Sequence, residues 1–150
     1  MADPAAPQPP QPGQPASSNL SMASPAVQSG ARWFWWIAGL SLVNTVFLHS
    51  GAGINFVIGL GVTLLSDVAF ASAKPIAFLI DAVAIGFFAL MGLLATRGKL
   101  AAFYVGLAVY ALDALIYVRL QDWMPVAFHA LAFYFIVRGA MALRALQATA

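Results

Sequence analysis

A chain of 150 residues that is 62% hydrophobic and 8% charged, with a mean hydropathy of +0.86, has too little polar surface to clothe a water-soluble globule. Its formal charge of +2 comes from seven scattered Lys/Arg against five acids, all Asp; no basic stretch tracks phosphates, so nucleic acid is not an expected partner. The absence of cysteine removes disulfide frameworks, thiolate-held zinc, iron–sulfur clusters and thiol catalysis.

Residues 1–31, opening MADPAAPQPPQPGQPASSN, are rich in Pro, Gln, Ala and Ser with one acid and no base. Such a composition buries too little apolar area to offset ordering, and it reads as a disordered tail. No base flanks the prolines, so a solvated linker is favoured over an SH3-type ligand. A secretory signal is not evident, because a charged n-region is missing and the first apolar run starts late. Residues 32–150 form the expected transmembrane helical domain.

The first helix is expected at about Trp33 to Ser50 within RWFWWIAGLSLVNTVFLHS, its tryptophans suited to the headgroup boundary. In the second segment, INFVIGLGVTLLSDVAF, the residues Asn55, Gly59, Thr63, Ser66 and Asp67 recur at helical spacing on one polar or small face. Lys74-Pro75 opens a third helix, stopped by the turn Thr96-Arg97-Gly98-Lys99; a fourth runs from Leu100 to Leu120; a fifth starts at Pro125 and ends near Leu146. Both prolines outside the tail fall where a helix begins, the position at which a missing N–H costs least. Apolar runs of about 18–22 residues each suffice, as helix, to cross roughly 30 Å of hydrocarbon. The alternating pattern of a β-barrel is absent, which leaves a helical bundle.

Topology turns on residues 54–71. If all five segments cross, the positive charges divide almost evenly between the two sides. If the second dips in or lies flat, Arg32, Arg97, Lys99, Arg138 and Arg144 share one side and Lys74 and Arg119 the other, the asymmetry of a cytoplasmic face. The expectation is an all-α, multipass bundle of four spans plus one interfacial or re-entrant helix, with five spans as the alternative.

On the four-span reading, Asp81 and Asp113 lie at a matching depth of roughly 9–13 Å below the extracytoplasmic surface, and His129 about 6 Å down. Gly106, Tyr110, Asp113 and Tyr117 share one face of the fourth helix, so either tyrosine could donate to the Asp113 carboxylate. An unpaired carboxylate in mid-bilayer costs about 2.5–3.5 kcal/mol, so these groups are expected to face one another in a polar pocket of Asp81, Tyr110, Asp113, Tyr117, Asp122 and His129, with His49, Asp67 and Arg119 at its periphery. Three chemistries fit. Asp and His donors could hold Zn, Mn or Fe, although no HExxH-type pair is present. A carboxylate–histidine chain could relay protons or bind a cation. A buried network could simply fix helix register. No serine lies in a GxSxG elbow, and the glycines at 51, 53, 59 and 61 lack phosphate-loop spacing and suit close helix packing.

The motifs WFxWIAGLSLxN and YALDxL…QDW…FH, within WFWWIAGLSLVN, FVIGLGVTLLSD, YALDALIY and QDWMPVAFHALAFYFIVRG, resemble those of a group of small multipass bacterial membrane proteins without an established activity. The similarity covers about Arg32 to Ala145. It implies a bacterial cytoplasmic (inner) membrane and a helical bundle, and supplies no catalytic residues. The resulting expectation is a non-enzymatic accessory or assembly component with the lipid bilayer, a small ligand or proton, and a membrane protein as partners. Its alternatives are a proton- or small-solute-handling transporter and a membrane-embedded metal-dependent enzyme; a cofactor stays open.

Overall fold

A computed structural model describes residues 24–50 and 59–149, apart from the side chains of Leu48 and His49. These residues form five helices and no strand: α1 Pro25–His49, α2 Gly61–Ala69, α3 Lys74–Thr96, α4 Leu100–Leu120 and α5 Trp123–Ala148. Three of them, α3, α4 and α5, are long and apolar enough to cross a membrane. The 9 residues of α2 span only about 14 Å as helix, roughly half of a hydrocarbon core. The stretch ahead of Gly59, including Asn55, lies outside the described residues.

Helix α1 starts at Pro25, so the boundary expected at Arg32 falls inside the helix. Proline at the first helical position brings a preset φ and loses no hydrogen bond. Val27, Ala31 and Phe34 then repeat at i, i+4 and i+7 and are fully buried. Residues 25–31 thus resemble the tail in composition but carry a packing stripe. Residues 1–23 of the expected tail lie outside the described residues.

In cross-section, α1 and α4 sit diagonally and each packs on both α3 and α5, while α2 wedges between α3 and α4. Tight turns make consecutive long helices antiparallel. At the α3–α4 turn, Gly98 takes a left-handed φ of 72°, which only glycine adopts without a side-chain penalty. The Gln147 amide donates to the Gly98 carbonyl at 3.1 Å, tying the end of α5 to that turn. At the opposite end, Gln121 closes α4 with φ 57° and releases the chain into α5.

The core near the Gly98 turn is apolar and closely packed. Gly30 of α1 meets Gly139 of α5, where an added Cβ on either would lie 2.9 Å from the other's Cα. Gly106 of α4 receives the ring of Phe34, and Gly92 of α3 receives the indole of Trp35. Phe34 also packs against Phe88 and Phe103, with centroids 6.4 and 5.9 Å away. Glycine lets helices approach closely enough for dispersion to hold them, which matters where no hydrophobic drive separates helix from lipid.

Candidate functional site

The polar residues gather at the other end, around α2. Residue Leu60 occupies the N-cap of α2 and offers no oxygen for capping, so the first N–H groups of that helix need acceptors from elsewhere. Asp113 of α4 supplies them. Its Oδ2 accepts the Gly61 N–H at 2.7 Å and its Oδ1 the Val62 N–H at 2.9 Å. A carboxylate at a helix N-terminus also meets the positive end of the helix dipole. Glycine at 61 permits the approach, because a Cβ there would stand 3.0 Å from Ile116 Cβ and 3.2 Å from the Asp113 carbonyl oxygen.

The loop entering α2 is held from two further directions. Leu60 N–H donates to Ser41 Oγ of α1 at 3.2 Å, and Tyr117 Oη donates to the Gly59 carbonyl at 3.1 Å. Buried backbone groups outside a regular helix need such partners, because burial removes water as an alternative. Four backbone groups of residues 59–62 are therefore satisfied by three side chains drawn from α1 and α4.

His129 of α5 completes the cluster. Its Nδ1 lies 2.8 Å from the Pro125 carbonyl, which only accepts, so Nδ1 carries hydrogen. Nε2 lies 3.0 Å from Asp113 Oδ2. The imidazole thus bridges the Pro125 carbonyl and the Asp113 carboxylate, tying α5 to α4. The ring is clasped between tyrosines one turn to either side of Asp113: Tyr110 stacks at 4.3 Å and 16°, and Tyr117 tilts at 5.3 Å and 52°. Asp113 and His129 are both buried.

Asp81 of α3 forms a second cluster on the same short helix. It is fully buried, and its oxygens accept from Ser66 Oγ of α2 at 2.6 Å and from Thr45 Oγ1 of α1 at 3.1 Å. The two aspartates thus act on different parts of α2, Asp113 on its first residues and Asp81 on its middle.

Of the residues expected in one pocket, the structure brings together Asp113, His129, Tyr110 and Tyr117, whereas Asp81 bonds to Ser66 and Thr45 in a separate cluster. The expected tyrosine-to-carboxylate hydrogen bonds are not formed. Tyr117 reaches the Gly59 carbonyl instead, and the buried Tyr110 hydroxyl has no partner among the described residues. Backbone N–H groups and the imidazole occupy the Asp113 oxygens. Asp122 is solvent- or lipid-exposed at the N-cap of α5 and does not join the cluster, and Arg119 is exposed as well. Asp67 is half-buried on α2, and the side chain of His49 lies outside the described residues.

Sequence reasoning did not assign Ser41, Thr45, Gly61 or Ser66 a place in this network. Ser41 and Thr45 are one turn apart on α1, with Asn44 beside them, and both are buried; that spacing was a usable signal. Among the described residues, no group of three His or Asp side chains converges as metal ligands would.

Two of the apolar grooves along α4 reach the residues of this cluster. One, of about 640 Å³, opens between α3 and α4 with Asp113 as the polar point of its wall. The other, of about 460 Å³, lies between α4 and α5, with His129 and Tyr110 in its wall and Arg138 toward one end. In comparisons with protein-family models, with curated proteins and with solved structures, nothing matches the chain.

Proposed function

We propose that the chain is a multipass protein of a bacterial cytoplasmic membrane in which α1, α3, α4 and α5 cross and α2 is re-entrant. In this reading it is a non-enzymatic accessory or assembly component, and the Asp113–His129–tyrosine cluster keeps α2 seated inside the bundle. Charge distribution supports the orientation: Arg32, Arg97, Lys99, Arg138 and Arg144 fall toward the end holding the α3–α4 turn, and Lys74 and Arg119 toward the end holding α2. The carrying observation is that both Asp113 oxygens accept backbone N–H groups of α2. A carboxylate so engaged is arranged to hold a helix rather than to ligate a metal or take a proton from a substrate.

Asp113→Asn tests the reading. The variant should lose thermal stability in detergent, and a cysteine introduced at Val68 should become more reactive to a water-soluble maleimide as α2 loosens. A second reading, handling of a proton or small solute, is favoured by the buried contact of His129 Nε2 with Asp113 Oδ2 at 3.0 Å. An Asp113→Asn protein that melts like the parent but no longer supports proton or solute flux in vesicles would replace the first reading with the second. Reporters fused ahead of Met1 and after Ala150 should both report the cytoplasm; opposite sides would rule out four spans.

A further inference from the structure

The groove between α4 and α5 differs from its larger neighbour in having a charge that selects an occupant. Its floor is made shallow by Ala111, Ala114 and Ala130, and Phe133 and Tyr134 rise beside it. Along α5 it extends from Val126 to Arg138, about 18 Å of helix, comparable to the roughly 15 Å of one leaflet's hydrocarbon. At the far end the Arg138 guanidinium lies 5.7 Å over the Tyr134 ring, and no carboxylate stands against it among the described residues. The aspartates at 67, 81, 113 and 122 all belong to the α2 end of the bundle. A lipid-facing guanidinium without an anion is costly, and a phosphate matches its planar donor fork.

We propose that this groove binds one anionic phospholipid, its phosphate on Arg138 and one acyl chain lying over the alanine floor toward His129. The proposal rests on reading the bundle as bilayer-embedded. A crevice of about 190 Å³ formed by Pro25, Ala26, Ser29, Phe135 and Arg138 adjoins the same guanidinium and leaves room for a headgroup. A second copy of the chain is a poor occupant, since a symmetric contact would set Arg138 against Arg138. The α3–α4 groove has the greater volume, but its wall carries no cation to choose between one apolar occupant and another.

Native mass spectrometry of the delipidated full chain, titrated with dioleoyl phosphatidylglycerol or dioleoyl phosphatidylcholine, tests the proposal. One phosphatidylglycerol should be retained in preference to phosphatidylcholine. Arg138→Gln should weaken its retention about tenfold, as expected for loss of a charge-assisted contact, Arg138→Lys should restore part of it, and Arg144→Gln should leave it unchanged. Ala130→Phe, which fills the floor, should abolish retention while keeping Arg138. Equal losses in the Arg138 and Arg144 variants, unaltered binding in Ala130→Phe, or a dimer whose formation displaces lipid would each overturn it. If Arg138→Gln fails to fold, Ala130→Phe and Arg138→Lys decide the matter. Release of the parent protein from membranes by alkaline carbonate would instead indict the bilayer reading itself; membrane retention without any lipid preference would indict this groove alone.

Discussion

The two ends of the bundle are held by different physics. Around the Gly98 turn, regular helices meet through Gly30, Gly139, Gly92 and Gly106, each lying against a backbone or a ring, with no side-chain hydrogen bond needed at the contact. Around α2, Asp113, Asp81, Ser41, Thr45, Ser66, Tyr117 and His129 form a chain of hydrogen bonds among α1, α2, α3, α4 and α5. The difference follows the backbone. A long helix satisfies its own N–H and C=O groups and needs only close packing, whereas a short helix entered through the non-helical Gly59 and Leu60 leaves buried backbone groups that side chains must satisfy.

Removing the Asp113 carboxylate should have the largest effect. Asp113→Ala strands two backbone N–H groups and leaves His129 Nε2 without its partner, and equilibrium unfolding in detergent should register a loss of about 3–5 kcal/mol. A loss below about 1 kcal/mol, the ordinary size of an interhelical hydrogen bond in membranes, would mean that the α2 end is not organised around this residue. Next in size, Gly139→Leu or Gly30→Leu should cost about 1–3 kcal/mol by overpacking the opposing backbone. The matching control is Gly86→Ala, where nothing lies within 4 Å of an added Cβ; relief of glycine's helix penalty should raise stability by up to about 1 kcal/mol. Tyr117→Phe frees the Gly59 carbonyl and should cost about 0.5–1.5 kcal/mol, while Tyr110→Phe, which removes a hydroxyl without a partner, should cost nothing or stabilise. The smallest effect is expected for the exposed Asp122→Asn, whose melting temperature should match the parent. Finally, Asp113→Asn combined with Gly139→Ala should be additive within about 0.5 kcal/mol if the two ends are independent; a larger coupling energy would merge them into one unit.

How legible these ends were differs in the same way. Helix boundaries at Lys74, Thr96, Leu100 and Leu120 coincide with their sequence signals, because proline, glycine and apolar run length act locally. The start of α1 was misjudged by about two turns, since Ala, Gln and Ser carry no local mark that Val27 and Ala31 would find α5 to pack against. The shared face of Tyr110, Asp113 and Tyr117 could be read from periodicity, but the partners of those residues could not. Asp113 is bonded to backbone 51 and 52 positions earlier, and backbone N–H groups leave no trace in residue identity.

Composition and periodicity by themselves determined that this chain is helical and roughly where the apolar helices α3, α4 and α5 begin and end; they led to an expectation of four or five spans, whereas three helices among the described residues have the length and apolarity of a span. Those properties are set by neighbours a few residues apart and by total polarity. Only the tertiary structure decided that α2 is a short helix wedged between α3 and α4, that two aspartates grip it at different points, and that the tyrosines clasp an imidazole instead of a carboxylate. Such choices depend on which groups arrive within about 3 Å of one another once the helices pack, and that distance is fixed by the fold.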